Sequence, residues 1–274
     1  FDKNVEEESQ KRLMEAMGNT ILLQEAIFLF SNHRLIRLEN IPKNGIWVSF
    51  LGSNHGKSVF RVLVQTRSSD SYNFVINLDE NLGKLFIQDE IRWLITTGSS
   101  IYGPKLVEDF GGYWSKYGLY TEEYIPGETL YQHLERNREE IASGKAADRW
   151  QMQWLHFVWS GLMAYMDFWY RTGYVIYSAN PSIKNLIVPR YDYATGTRLI
   201  SISDRKHFTT ISDFVFTLYG RFIITSEQDY PGLKRMGGWE VLFTALLQVV
   251  TVKQGLEFLM DLQEEFQKKP IKQK

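Results

Sequence analysis

The sequence predicts an α+β protein: a small antiparallel sheet from its first half and a larger, mainly helical part from its second. Three observations carry this. Ile46–Leu51, Val59–Val64 and Tyr72–Leu78 read as three strands joined by the turn-rich stretches Gly52–Ser58 and Thr66–Ser71, the signature of an antiparallel meander. Trp150, Trp154, Phe157, Val158, Gly161, Leu162, Tyr165 and Trp169 recur at helical spacing on one face, as in a core helix. Leu186–Pro189 and Arg198–Ile202 are short apolar runs separated by turn residues, a hairpin that closes on Ser203-Asp204.

Composition narrows the classes of function. The 274 residues, 44% hydrophobic and 15% aromatic, suffice for one large domain or two modest lobes with a real core. A formal net charge of -1 provides no global field for nucleic acid or an anionic membrane. The absence of cysteine removes disulfides, thiolate catalysis and cysteine zinc sites together and fits a reducing, cytoplasmic setting. No apolar run approaches the roughly 20 residues needed to span a bilayer. The chain begins at Phe1 without an initiator Met or a signal-peptide pattern, so a module cut from a longer protein, with adjoining domains or a protein partner, is expected.

Taken in order, residues 1–30 open with Glu6, Glu7 and Glu8 and continue with Leu13, Met14, Met17, Ile21 and Leu22 near a 3.6-residue period. One amphipathic helix with an acidic N-terminus is the reading, an extension preceding a lobe of residues 31–125. After the three strands, Leu82–Ile95 carries apolar residues at helical spacing and is expected to pack on the sheet. Lys105–Asp109 and Gly118–Ile125 read as two further strands flanking a turn at Gly111-Gly112, and Pro126 opens the second lobe, residues 126–274. Residues 135–148 are charged, a solvated helix and loop. The aromatic helix anchors the loop from Tyr174 to Asn185, and Trp239–Val250 and Leu256–Phe266 read as two closing helices.

Helix, loop, hairpin, acid is the order of the catalytic core in the protein-kinase-like superfamily, which this chain resembles as a degenerate or pseudokinase member. The resemblance implies a bilobal fold, small sheet lobe first, and a nucleotide cleft between Glu123-Tyr124-Ile125 and the loop Asn180–Asn185. Asn180 falls where the family has its catalytic Asp, and Asn185 and Asp204 match its metal-binding Asn and Asp. Asp213, followed by Phe214, is a rival for the latter role. Asn77 stands where the family's strand lysine belongs, and Glu90 is the matching helix acid. Glu123, Tyr124 and Ile125 correspond to the interlobe hinge whose backbone meets the adenine edge, and Glu128 either reaches a ribose or is an acid at a helix start. The motif departs from the family: Ser178-Ala179-Asn180 replaces His-Arg-Asp, and Arg205-Lys206 follows Asp204 in place of Phe-Gly. ATP and Mg2+ are the implied cofactors, with a regulatory or scaffolding role. An active atypical phosphotransferase or nucleotidyl transferase is the alternative.

Gly52–Ser58 superficially resembles a P-loop, but its glycine spacing is one residue short and a strand-like run follows where that motif requires a helix. It is read as a hairpin turn, in which Lys57 is either a surface lysine or a stand-in for the missing strand lysine. An Asn at position 180 orients a substrate hydroxyl without accepting its proton, so little turnover is expected. The five histidines show no metal-ligand spacing, no Gly-x-Ser-x-Gly elbow occurs, and the glycine-loop opening of a dinucleotide fold is missing.

Overall fold

The computed structural model describes residues 7–31, 34–54, 56–79, 110–114, 116–176, 183–190, 197–199, 205–207, 218–233 and 238–249, with scattered positions beyond 254. The chain is α+β and divides into two compact units, the described residues up to Ile125 and those from Pro126 onward.

The first unit is a five-stranded antiparallel sheet with two helices on one face. The strands are β1 (Ile46–Asn54), β2 (Lys57–Gln65), β3 (Ser71–Asp79), β4 (Phe110–Trp114) and β5 (Leu119–Glu123), in the order β1-β2-β3-β5-β4. The meander is therefore present, with each strand a few residues longer than the hydrophobic runs alone indicate. The glycine pair is not a turn: Gly111 and Gly112 lie inside β4, where the register against β5 shifts between Phe110 and Tyr113. Glycine inside a strand commonly marks such a bulge, and the turn itself falls on residues 116–118. The expected strand over 105–109 and helix over 82–95 lie outside the described residues.

Where one N-terminal helix was expected there are two, α1 (Glu7–Met17) and α2 (Thr20–Phe30). Gly18-Asn19 divides them. The Asn19 side chain accepts from the backbone amides of Ile21 and Leu22 at 3.0 and 3.2 Å, capping α2, and donates to the Tyr117 hydroxyl at 3.2 Å. Alternation decides what the helices cover. Phe60, Val62 and Val64 of β2 and Phe74, Ile76 and Leu78 of β3 share one face, buried with Leu13, Leu22, Leu23 and Ile27 of the helices. Phe30 stacks on Phe74 at 5.6 Å, so α1 and α2 are part of the core of this unit.

The second unit is mainly helical. Short helices α3 (Leu130–Arg136) and α4 (Arg138–Ser143) precede α5 (Ala147–Thr172), and α6 (Thr225–Asp229) and α7 (Gly238–Val249) follow. The aromatic stripe is core: Trp150, Trp154, Phe157, Leu162 and Tyr165 are buried along α5. Helical residues at 255, 257, 260, 263 and 264 lie within the expected last helix or at its start. Small ladders join β6 (Gly127–Thr129) to β8 (Leu186–Pro189) and β8 to β9 (Arg198–Leu199), while β7 (Tyr174–Ile176) pairs with β10 (Arg205–His207). Leu186–Pro189 coincides with the predicted strand. Tyr174–Ile176, read as the start of a loop, is instead a strand, because its partner follows thirty residues later and pairing at that separation leaves no local signal. Among the described residues no single helix is long and apolar enough to cross a membrane.

Candidate functional site

In the first unit, the face of the sheet opposite α1 and α2 carries polar residues. Register places them in rows: Lys57 opposite Asp79; Val59, Asn77 and Tyr120 in line; then Arg61, Val75 and Glu122; then Leu63 with Asn73. Each residue on this face alternates with one in the apolar core, so the two-residue strand period that buries Ile76 and Leu78 also fixes where Asn77 and Asp79 lie.

Lys57 is the first residue of β2 and only 5% exposed, which corrects the surface-lysine reading. The hairpin extends through Asn54 and Lys57, so the loop is reduced to residues 55 and 56, with Gly56 at φ +73°. That pulls Lys57 out of the turn and into the ladder. Its ammonium donates to the Tyr120 hydroxyl at 3.3 Å and lies 5.7 Å from that ring's centre. No helix follows Gly56, so this is not a P-loop. Asn77 is 3% exposed, and its side-chain amide donates to a carboxylate oxygen of Glu122 at 2.9 Å. An acceptor strand neighbour thus occupies the amide of the position from which the family resemblance expects a lysine. Arg61 donates from Nε and Nη2 to the Asn73 side chain at 2.9 and 2.7 Å and stacks on Tyr124 at 4.4 Å.

β5 ends at Glu123, and Tyr124 and Ile125 continue past the ladder as half-buried, irregular backbone. These three residues lead out of the sheet beside β3, where Glu123 pairs with Phe74.

In the second unit, Glu128 is not a helix-start acid. Thr129 caps α3, receiving the Gln132 amide at 3.1 Å while the Gln132 side chain accepts from the Thr129 amide at 2.9 Å. Glu128 lies in β6 and turns to α3, where one carboxylate oxygen meets His133 Nδ1 at 2.8 Å and Arg136 at 2.5 Å. Asn185 is 7% exposed and directly precedes β8. Its approach is tied down by the Tyr131 amide, which donates to the Ile183 carbonyl at 3.1 Å, and by Lys184, whose ammonium lies 4.8 Å from the centre of the Tyr131 ring. β8 is pressed onto α5: a Cβ on Gly161 would lie 2.8 Å from Leu186 Cδ1 and 3.1 Å from Phe222 Cζ. The hydroxyls of Thr197, entering β9, and Ser160 share a hydrogen bond at 2.9 Å, and the Thr197 amide donates to the Ser160 oxygen at 2.8 Å.

Glu90, Asn180, Asp204 and Asp213 lie outside the described residues. Arg205, the neighbour of Asp204, pairs with Ile176 at the end of β7. Among the described residues no three His, Asp or Glu side chains gather into a metal-binding group.

Glu122, Tyr120, Asp79, His133 and Arg136 were not singled out from sequence. Alternation alone identifies the first three once the strand register is known. A separate charged cluster joins α3, α4 and the residue after α6: Arg138 donates to Glu135 at 3.1 Å from Nε, and the Tyr230 hydroxyl donates to Glu135 at 2.6 Å. Those bonds, the Arg138 one foremost, hold the Glu135 carboxyl down at about 2. Tyr230 is pushed up, first by burial and then by its bond to Glu135.

No protein-family model matches the sequence, and no curated protein matches it. Among solved structures, the kinase domain of Mycobacterium tuberculosis PknI aligns over 84% of this chain and 99% of that one, at 13% identity and a TM-score of 0.42.

Proposed function

We propose that this chain is a nucleotide-binding module of the protein-kinase-like kind, serving a regulatory or scaffolding role within a larger protein and transferring little or no phosphate. The observation that carries the reading is the polar face of the first sheet, with a buried lysine at one end and the segment Glu123–Ile125 leaving at the other. A buried ammonium is costly unless anionic or hydrogen-bonding partners share its site. Lys57 has such neighbours in Tyr120 and, across the ladder, Asp79; on this reading it also supplies, from β2, the cation for nucleotide phosphates that Asn77 on β3 does not. The base lies toward Glu123, Tyr124 and Ile125, whose backbone reads its edge.

The resemblance also assigns roles to residues of the second unit. Asn185, with Asp204, offers an amide and a carboxylate oxygen, a donor set that suits Mg2+, which keeps much of its water shell. Bound Mg2+ neutralises phosphate charge. Asn180 orients without acting as a base, which is why transfer is weak. Glu128, which pairs with His133 and Arg136, is on this reading the acid for a ribose hydroxyl.

Lys57 also favours the second reading, an active atypical ATP-dependent phosphotransferase or nucleotidyl transferase, because a phosphate-binding cation is what Asn77 removes and Lys57 returns. A thermal-shift titration with ATP and Mg2+ tests the shared premise. At a hundredfold excess over Kd the ligand should add about 2.7 kcal/mol of stability, a rise of a few degrees, and K57M should reduce it sharply. A flat melting temperature for the wild type sinks both readings. Incubation with labelled ATP then separates binding from turnover, and D204A should abolish any turnover found.

A further inference from the structure

Where β2 turns into β3, a hollow of about 440 Å³ lies between the hairpin tip and the chain that leaves α2. Leu35, Ile36 and Tyr72 give it apolar lining, and Thr66, Arg67 and Ser68 give it polar lining. The tip is fixed by its own hydrogen bonds: the Thr66 amide donates to the Asp70 carbonyl at 2.9 Å, and the Asp70 amide to the Thr66 hydroxyl oxygen at 3.2 Å. The Arg67 amide donates to the Asn40 carbonyl at 2.9 Å, which ties the tip to the neighbouring chain. Asp70, the carboxylate of the lining, accepts from the Ser68 hydroxyl at 2.7 Å. The exposed Arg67 guanidinium, by contrast, has no hydrogen bond or ion pair among the described residues.

Two features around the hollow point to one partner. Leu35 is 90% exposed, an apolar side chain that the fold leaves in water. Arg34 and Arg37 flank it in the chain, and Lys43 follows in a turn whose Gly45 carbonyl receives the Gln65 amide at 2.7 Å. Arg34 and Lys43 are exposed and, like Arg67, unpaired among the described residues. Arg37 meets Glu39 at 3.4 Å, but both side chains are exposed and such a pair is weak. Residues 34–45 and 66–72 thus set Arg34, Arg37, Lys43 and Arg67 against Glu39 and Asp70, a local positive excess on a chain with a net charge of -1.

We infer that this face docks on an anionic phospholipid surface, a phosphate-bearing headgroup entering the hollow at Arg67 while Leu35 enters the hydrocarbon. A free phosphate or an acidic peptide would use the arginine and leave the leucine in water. A lipid surface takes both, because cations meet its headgroups while an apolar side chain beside them leaves water.

Sedimentation of the full chain with vesicles tests this, using phosphatidylcholine alone and phosphatidylcholine mixed equally with phosphatidylserine. The mixed vesicles should bind roughly tenfold or more tightly, since each basic side chain near such a surface is worth about fivefold and two are in excess. That advantage should shrink as salt is added. R67A should lose about fivefold and L35S about tenfold, each with an unchanged melting temperature because both side chains are exposed. Equal binding to the two vesicle types, or binding to neither, overturns the inference. Binding that both variants leave intact places the contact elsewhere and overturns it as well. Titration with glycerophosphoserine, the headgroup without its chains, separates the remaining case: if it binds as tightly as the mixed vesicles and L35S loses nothing, the hollow takes a free anion and the lipid surface is ruled out.

Discussion

Glu135 shows how a single side chain on the surface of the second unit ties three segments together. Arg138 and Tyr230 both donate to it, and Arg138 also reaches the Asp229 carbonyl at 3.0 Å and packs on the Tyr230 ring. A carboxyl whose value falls on folding contributes stability above its unfolded value, near 4.5, and loses it as pH drops toward about 2. E135Q should therefore be less stable than the wild type at neutral pH, with the deficit shrinking between about pH 4.5 and pH 2. Urea midpoints at pH 7, 4 and 2.5 measure this, and a deficit independent of pH would show that the charge contributes nothing. Asn19 is a second residue with a defined task. Replacing it by Ala removes the α2 cap and should cost about 1 kcal/mol, within the range for such caps, read from chemical denaturation.

Among the described elements, β8 is closely approached on two sides. Gly127 lies opposite Pro189 in the β6–β8 ladder, and a Cβ there would collide with the Val188 carbonyl oxygen. On its other side β8 meets α5 at Gly161, where added atoms press on Leu186, itself wholly buried. The smallness of both glycines, not their backbone freedom, lets strand and helix approach. G161V should destabilise the second unit by about 1–3 kcal/mol through overpacking, offset only slightly by loss of helix glycine. G127A meets backbone, which yields less, and should be at least as damaging. Thermal denaturation of the two variants checks this; wild-type stability in either would mean that β8 is not pinned as described. Since Asn185 directly precedes β8, the same variants should also weaken any Mg2+-dependent increment in ATP binding.

For the whole molecule, residues 7–30 are an integral part of the first unit. Leu13, Leu22, Leu23 and Ile27 are at most 5% exposed, and burying each contributes about 1.5–3 kcal/mol, on the order of 6–12 kcal/mol together. Domain stabilities are about 5–15 kcal/mol, so the helices decide whether the sheet folds. Deleting residues 1–30 should leave β2 and β3 unprotected in amide exchange and expose their apolar face to a hydrophobic dye. A truncated chain with native exchange protection would show that the helices merely decorate the sheet.

How much of this was legible in advance follows from the range of the forces involved. The meander, the aromatic helix and the strand Leu186–Pro189 are each specified by patterns a few residues long, period two or period 3.6, and such patterns survive in the linear text. The division of the N-terminal helix was hidden because an apolar period runs through Gly18-Asn19, although the Asn cap is a local sign. The β7–β10 pair was hidden because thirty residues separate its strands. The burial of Lys57 was hidden for a different reason: a lysine beside a glycine reads as a turn until the register of the hairpin shows it to be in the ladder.

Composition and periodicity alone determined that this chain would bury one face of a meander and a long aromatic helix, because apolar side chains must leave water wherever they recur at a regular spacing. Only the tertiary structure decided which polar groups share the other face of that sheet. Lys57, Asn77, Tyr120 and Glu122 are brought together by strand register, and register is set by pairing between strands, which no single segment encodes.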